Sequence, residues 1–446
     1  MELVAKGQMD SIVVDLENKK SIFNYTINKY NKYAKSDSLF YPEGKPNWAN
    51  TIRFYIEKKG DLLYGLYLVV KLPQLSIANL NTNVPQDLSD TDSIYRVKYS
   101  DYIGNVVIEK VSLYINGQLI DEQDGEYMQI YTDLYMSDWN RKSMLGMDNV
   151  LNRPNLKIDP EIIYIPLKFW FCNEIEKPLP LIAMGNSVIY IDVKFRNFNN
   201  CVSVLEYHND VTGDLYSSDK THLEVPIMDA FLQANYYLLD LEERKEMATK
   251  EWNIIITQSQ VRTMNLSSSG SLEIDFNHIV KDIMFLVQSS HHKSRGEFFN
   301  FSAKTKYPDY DATKPINYKL WTLEPQRHLL TRARMLFNGC ERIEWRDHKY
   351  FHYMQNHENY QNSLHSYVYV YSFNVDPTRF ENSIGCNFSR LDNAQLQVEI
   401  KPHKFLLNKN SDLFYSPNNS FELKCYATNF NVLVISHGLV SLMYVN

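Results

Sequence analysis

Asn-Gly set between alternating apolar residues constrains a chain strongly. Both central positions of a type I′ hairpin turn need φ > 0, and few residue pairs supply it. This chain carries the signal twice in one setting. Val111–Gln129 reads VSLYINGQLIDEQDGEYMQ and Thr331–Gln355 reads TRARMLFNGCERIEWRDHKYFHYMQ. Apolar residues lead into Asn116-Gly117 and into Asn338-Gly339, and both segments run on to Tyr-Met-Gln. Gly117 and Gly339 lie 222 positions apart in a chain of 446 residues. The pattern predicts two copies of one β domain. A duplicated all-β chain without a catalytic pattern reads as a building block rather than an enzyme.

Length supports two cores of roughly 200 residues each. The 32 Tyr and 22 Phe favour strands and half-buried surfaces. With only 15 Gly and 16 Pro, Asn and Asp must carry much of the turn chemistry. A net charge of −7 without a Lys/Arg run argues against direct sequence-specific nucleic-acid binding. Cys172, Cys201, Cys340, Cys386 and Cys425 form no CxxC pair and read as reduced thiols. No apolar signal core or 18-residue apolar run occurs, so the expectation is a soluble, unsecreted protein whose Asn-x-Ser/Thr sites arise by chance.

Along the chain, residues 1–50 read as a polar, aromatic N-terminal arm that forms no core of its own. Residues 51–239 read as the first β domain. TIRFYIEK alternates, LLYGLYLVVKL is a near-continuous apolar run as in a strand covered on both faces, and a helix is expected near 125–134. IIYIPLKFWF reads as a strand whose Pro166 marks an edge, start or bulge. Residues 240–251 (DLEERKEMATKE) are charged and rich in helix formers, with Asp240 and Glu243 in capping-box spacing. They predict an exposed helical linker. Residues 252–446 read as the second β domain, interrupted at 289–317 by a long polar and aromatic loop.

Three places offer candidate chemistry. His348, His352 and His357 lie close together, and a helix would put His348 and His352 on one face, as metal ligands can lie. The Glu of HExxH is absent, and a polar surface segment is the expected reading. His291 and His292 are adjacent and so point apart on a strand. Acid pairs such as Asp121-Glu122 and Glu242-Glu243 follow turns or open helices, where carboxylates are stable for structural reasons. No G-x-S-x-G, P-loop or GxGxxG occurs. No catalytic, cofactor-binding or metal-ligating residue is expected. The alternative is a β-sandwich carbohydrate-binding or carbohydrate-active protein, the latter needing two acids facing one cleft.

Six ordered segments also carry a family resemblance. They are SIFNYTINKYNKYA after KGQMD, EKKGDLLYGLYLVVKLP, INGQLIDEQDGEYMQIY, IPLKFWFCNEIEKPLPLIAM, LEERKEMATKEWNIIITQSQ and YVYVYSFNVDPTRFENSIGCNFSRLDNAQLQVEI. Together they resemble the major capsid proteins of nucleocytoplasmic large DNA viruses. Two stretches depart: SIVVDLENKK near the start, and Asn382–Cys386 in place of the family's Pro-Ser-Gly, where Gly385 is expected to supply φ > 0. The resemblance implies two tandem eight-stranded jelly rolls and a homotrimer forming a pseudo-hexagonal capsomer. Its implied partners are neighbouring trimers, minor capsid and penton proteins, and an inner viral membrane. It implies residence in the virion capsid after synthesis in the host cytoplasm. Phe23 and Tyr30 of the arm would then lie at the inner face or between capsomers.

Overall fold

A computed structural model describes residues 32–76, 94–136, 144–146, 151, 153–173, 176–208, 213–216, 228–307, 327–360, 364, 366–378, 385–400 and 420–444. Two antiparallel barrels follow one another. The first has β1 (Tyr33–Phe40), β2 (Thr51–Tyr55), β3 (Leu62–Leu72), β4 (Ile108–Ile115), β5 (Gln118–Asp124), β6 (Glu161–Pro166), β7 (Ile189–Phe195) and β8 (Asp229–Leu239). The second has β9 (Trp252–Leu266), β10 (Ser269–Glu273), β11 (Ile279–Ser289), β12 (Leu330–Phe337), β13 (Cys340–Asp347), β14 (Tyr369–Ser372), β15 (Ala394–Ile400) and β16 (Phe421–Ser436). A final strand, β17 (Leu439–Leu442), pairs with β16.

Sheet order repeats with an offset of eight. The first barrel pairs β1-β8-β3-β6 in one sheet and β2-β7-β4-β5 in the other; the second pairs β9-β16-β11-β14 and β10-β15-β12-β13. This is jelly-roll order. The duplication extends to irregularities. Strand β3 bulges at its third residue, Tyr64, against β8, and β11 bulges at its third residue, Lys281, against β16. In each barrel the outer edge of that bulged strand is shared end to end by two segments: β6 and Leu179–Pro180 on β3, β14 and Cys386–Asn387 on β11.

Both Asn-Gly turns close the equivalent hairpin. Asn116 and Gly117 have φ of 52° and 79°, and Asn338 and Gly339 have 51° and 80°. Each Asn also reaches sideways: Asn116 Oδ1 accepts from Val188 N at 2.9 Å, and Asn338 Oδ1 accepts from Asn393 N at 3.1 Å. The side chain therefore tethers the turn to the strand beside it. A third turn of the same kind, His437-Gly438 (52° and 80°), joins β16 to β17. Sequence reading missed it because His is not a usual turn residue.

Several expectations need correction. The stretch Tyr33–Phe40 is not arm but β1, paired with β8 along all eight residues. Its burial pattern is mostly exposed, with Phe40 as the buried anchor, so backbone pairing rather than apolar periodicity holds it. Trp48 also joins the first core. The strand at Glu161 ends at Pro166, and Trp170–Asn173 is helical. Gly385 has no positive φ; a Cβ there would lie 2.1 Å from Val280 O, so close approach is what requires glycine. Between the barrels, the chain forms α2 (Leu241–Thr249), which buries no residue; α1 is Gly125–Tyr135. Asp240 caps α2 through Leu241 N rather than through the box with Glu243.

Replacing Asn338 with Ala removes a residue that tolerates φ > 0 and two acceptor bonds, from Asp392 N and Asn393 N. The expected cost is about 1–2 kcal/mol, measured as a lower midpoint in urea unfolding; an unchanged midpoint would show that the turn is held by other means.

Candidate assembly surfaces and the seam between the barrels

The seam between barrels begins at α1. Asp124 caps it, accepting from Tyr127 N at 2.8 Å. Gly125 is required by space, since a Cβ would sit 2.4 Å from Asn105 O. The helix lays Tyr127, Ile130 and Leu134 against Met284 and Leu286 of β11 and Tyr426 of β16. The neighbouring residues of β11, Ile283, Phe285 and Val287, face the second barrel's own core. Both faces of this strand are therefore buried, which explains why DIMFLVQ is so apolar. Much of the tyrosine richness is spent here: Tyr127 meets Tyr426 at 5.9 Å and Tyr135 meets Tyr360 at 5.7 Å between ring centroids.

Buried charges cross the same seam. Lys424 of β16 bonds Glu126 at 2.7 Å, Glu126 pairs with Arg196 at 3.2 Å, and Tyr426 OH donates to Asp124 at 2.7 Å. Arg196 also lies 3.8 Å from the Phe298 ring centroid. Burial would raise the Glu126 carboxyl, but Arg196 and Lys424 hold it below the usual range. For Asp124 burial and the neighbouring Glu126 win, and its carboxyl is raised. Asp121 is pushed by burial up to about 6 although Ser259 N and Gln123 Nε2 donate to it. Nothing in the sequence flagged Arg196 or Lys424, because their partner acids lie 70 and 298 positions away.

The segment after β11, expected to be a loop, packs into the seam as well. Residues Ser290–Ser294 are helical, and His292, Arg295, Phe298 and Phe301 are buried. Ser203 Oγ donates to Arg295 O at 2.7 Å and Ser100 Oγ to Gly296 O at 2.5 Å, tying it to the first barrel. Strand β16 runs past its own barrel, so that Leu433 and Ile435, with Val440 and Leu442 of β17, enter the first core. Gly438 O accepts from Asn186 N and Ser187 Oγ, and Asn116 Nδ2 donates to Ser187, so two of the hairpin turns meet at the seam.

The expected histidine cluster is rearranged. His348 and His352 do come together, but the third ring is His328, at 4.3 Å from His348 and 4.7 Å from His352. His357 stands apart and exposed, one helical turn farther on. His352 Nδ1 bonds Val368 O at 2.7 Å. Burial, with His352 and His348 nearby, pushes His328 down to about 3, which keeps it neutral. Among the described residues no group of three or more His, Cys, Asp or Glu is placed to hold a metal. Phe23 and Tyr30 lie outside the described residues.

The outer faces of the two β2- and β10-containing sheets share a chemistry. On the first, Arg53 forms a fork on Asp192 (2.7 and 2.8 Å) and covers Tyr190, which stacks on Tyr114 at 4.9 Å. On the second, Arg332 forks on Glu399 (2.7 Å twice) and covers Trp345. Exposed Tyr33, Tyr41 and Tyr55 add to the first barrel's surface. Arginine and aromatic side chains of this kind are enriched where proteins meet.

Comparison with known proteins agrees with this architecture. A family described as "Major capsid protein N-terminus" matches residues 21–240, and one described as "Large eukaryotic DNA virus major capsid protein" matches residues 243–441. The chain belongs to the major capsid proteins of large eukaryotic DNA viruses. This family is structural, not enzymatic, and its members are components of the virion capsid that assemble into the capsid lattice. The major capsid protein of Phaeocystis pouchetii virus is 23% identical, the match covering 100% of this chain and 99% of that protein. That of Paramecium bursaria Chlorella virus 1 is 24% identical over 100% and 99%. Among solved structures, PBCV-1 VP54 superposes with a TM-score of 0.74 at 21% identity, covering 96% of this chain and 100% of that one. The Faustovirus major capsid protein gives 0.69 at 12%, covering 97% and 94%. The double jelly-roll fold is thus shared where few residues are.

Two outcomes are expected of the seam. Lys424→Met leaves Glu126 buried with one cation fewer and should cost about 3–5 kcal/mol in denaturant unfolding. For Asp121, a folded pKa of about 6 lies above the ordinary 3.8, so the folded chain holds the extra proton between them. Its contribution therefore favours the fold at low pH and turns into a penalty of about 3 kcal/mol as pH rises past 6. Asp121→Asn should remove that slope: its stability relative to the parent should improve by about 2 kcal/mol between pH 4.5 and 7. A difference that stays flat across this range would show that Asp121 is ionised throughout.

Proposed function

We propose that three copies of this chain form a capsomer in which six barrels approximate a hexagon, and that such blocks tile the facets of an icosahedral shell. The strand-for-strand duplication carries this reading. Two barrels of one topology, fixed at one angle by a buried seam, let threefold symmetry imitate sixfold. The similar outer faces, with Arg53–Asp192–Tyr190 on one barrel and Arg332–Glu399–Trp345 on the other, support it by offering like surfaces at alternating positions of the hexagon. The turns at Asn116-Gly117 and Asn338-Gly339 serve as structural closures; a Cβ at either glycine would meet nothing within 4 Å.

In this reading the chain divides into an arm, a first jelly roll, the linker at 240–251 and a second jelly roll from 252. The arm gives up Tyr33–Phe40 to the first barrel. What precedes it, with Phe23 and Tyr30, lies on the inner face toward minor capsid proteins or an inner membrane. Neighbouring trimers and penton proteins are the other partners. Synthesis takes place in the host cytoplasm.

Size-exclusion chromatography with light scattering should give three times the 52.5-kDa chain; a stable monomer at micromolar concentration would sink the capsomer. Deleting residues 1–31 stops short of β1 and should leave trimers intact while impairing shell assembly, scored by electron microscopy. Loss of folding on this deletion would place the arm in a core.

A further inference from the structure

Among the described residues, Lys168 is a buried cation without an acidic partner. It follows β6 and is 5% exposed. Its carbonyl accepts from Gln123 and Asn173, which fixes the backbone. Its ammonium has three N–H donors, and the acceptor the fold supplies is the thioether of Met136 at 3.1 Å, a weak one. The ring of Tyr131 lies at 5.7 Å. Burial pushes this lysine down to about 8. Cys172 beside it cannot serve as counter-ion, because burial raises its thiol to about 12 and keeps it neutral.

Lys168 lines a cavity of about 390 Å³ between the barrels, roughly a dozen water volumes. Lys281 lines the same cavity from the opposite barrel. It is the bulge residue of β11, and its ammonium lies 5.9 Å from the Tyr135 ring centroid and makes no ion pair among the described residues. Two acids lie near these residues, and both have partners. Asp121 borders an adjoining, deeper void that both lysines also line, and accepts from Ser259 and Gln123; Asp282, next to Lys281, accepts from Tyr360 OH at 3.0 Å. Two lysines from two barrels thus line one polar cavity, and the deeper one carries a desolvation cost that no acid among the described residues offsets.

We propose that this cavity is an oxyanion site, in which Lys168 and Lys281 bind a phosphate, a sulfate or a carboxylate. Such a ligand would complete the donor set of Lys168 with charge-assisted hydrogen bonds and pin the two barrels together. The oxyanion could come from solution or from an acidic side chain of a neighbouring copy. The solution source is independent of how copies associate.

The test uses full-length protein in chloride buffer free of phosphate and sulfate, at constant ionic strength. Carbamylation of Lys168 by cyanate at pH 7.5 is followed by peptide mass spectrometry. Added phosphate should slow labelling of Lys168 about tenfold or more and raise the thermal midpoint in a saturable way; tenfold corresponds to about 1.4 kcal/mol. Lys281→Ala should raise the phosphate needed for half-protection about tenfold. Lys168→Met should abolish the thermal shift, and if that variant does not fold, the labelling and Lys281→Ala still decide. Protection that grows with protein concentration in phosphate-free buffer would assign the oxyanion to a neighbouring copy's carboxylate. Labelling of Lys168 at one rate across all phosphate, sulfate and protein concentrations, with no thermal shift, would overturn the site.

Discussion

From Asp282 to Ser289, strand β11 has no solvent face. Its alternate side chains serve two cores: Ile283, Phe285 and Val287 fill the second barrel, while Met284 and Leu286 meet the helix of the first. A barrel with such a strand cannot stand alone without exposing a large apolar strip. The first barrel, through α1, is the cover. At roughly 25 cal/mol per Å² of apolar surface, a face of several large side chains outweighs the freedom lost by fixing two domains at one angle. The seam then has to absorb whatever polar groups it buries. The network does this by pairing Lys424 and Tyr426 of the second barrel with Glu126 and Asp124 of the first, and Arg196 with Glu126 within the first. Lys168 is the place where the pairing is incomplete.

Duplication and divergence can be separated residue by residue. Sheet order, the third-residue bulge, the end-to-end edge segments and the Asn side-chain tether recur in both barrels. These features close a jelly roll, so each copy needs them. Divergence lies where the copies meet. β1 has 8 residues and its counterpart β9 has 15; β8 has 11 and β16 has 16. The extra length of β16, with β17, is what carries Leu433, Ile435, Val440 and Leu442 into the first core. One copy was thus extended to hold the other, which suits a block that must tile without flexing.

Local features were legible in the sequence, since their physics lies within a few residues. The Asn-Gly turns, the alternation of β2, the helix that follows β5 and the linker helix α2 each depend on near-neighbour chemistry. The features that failed to show depend on distant partners. β1 looks like arm because its apolar residues are few; its pairing with β8 spans some two hundred positions. The stretch after β11 looks like a polar loop because its charged and hydroxyl groups find acceptors in the first barrel only after folding. His357 looked like a member of the histidine group on spacing alone, and His328 entered from another element.

By itself, then, the sequence determined that this is a duplicated β protein with two closed hairpins, a charged helical joint and no catalytic motif, because turn geometry and side-chain periodicity are written locally. Its ordered motifs also placed it among large DNA virus capsid proteins. Only the tertiary structure decided how the two barrels lock. Which carboxylates are buried, which lysine lacks an acid, and which glycine is needed for close approach all depend on groups scores to hundreds of positions apart. Burial and charge pairing are properties of the surroundings, and those surroundings exist only once β11 and α1 have met.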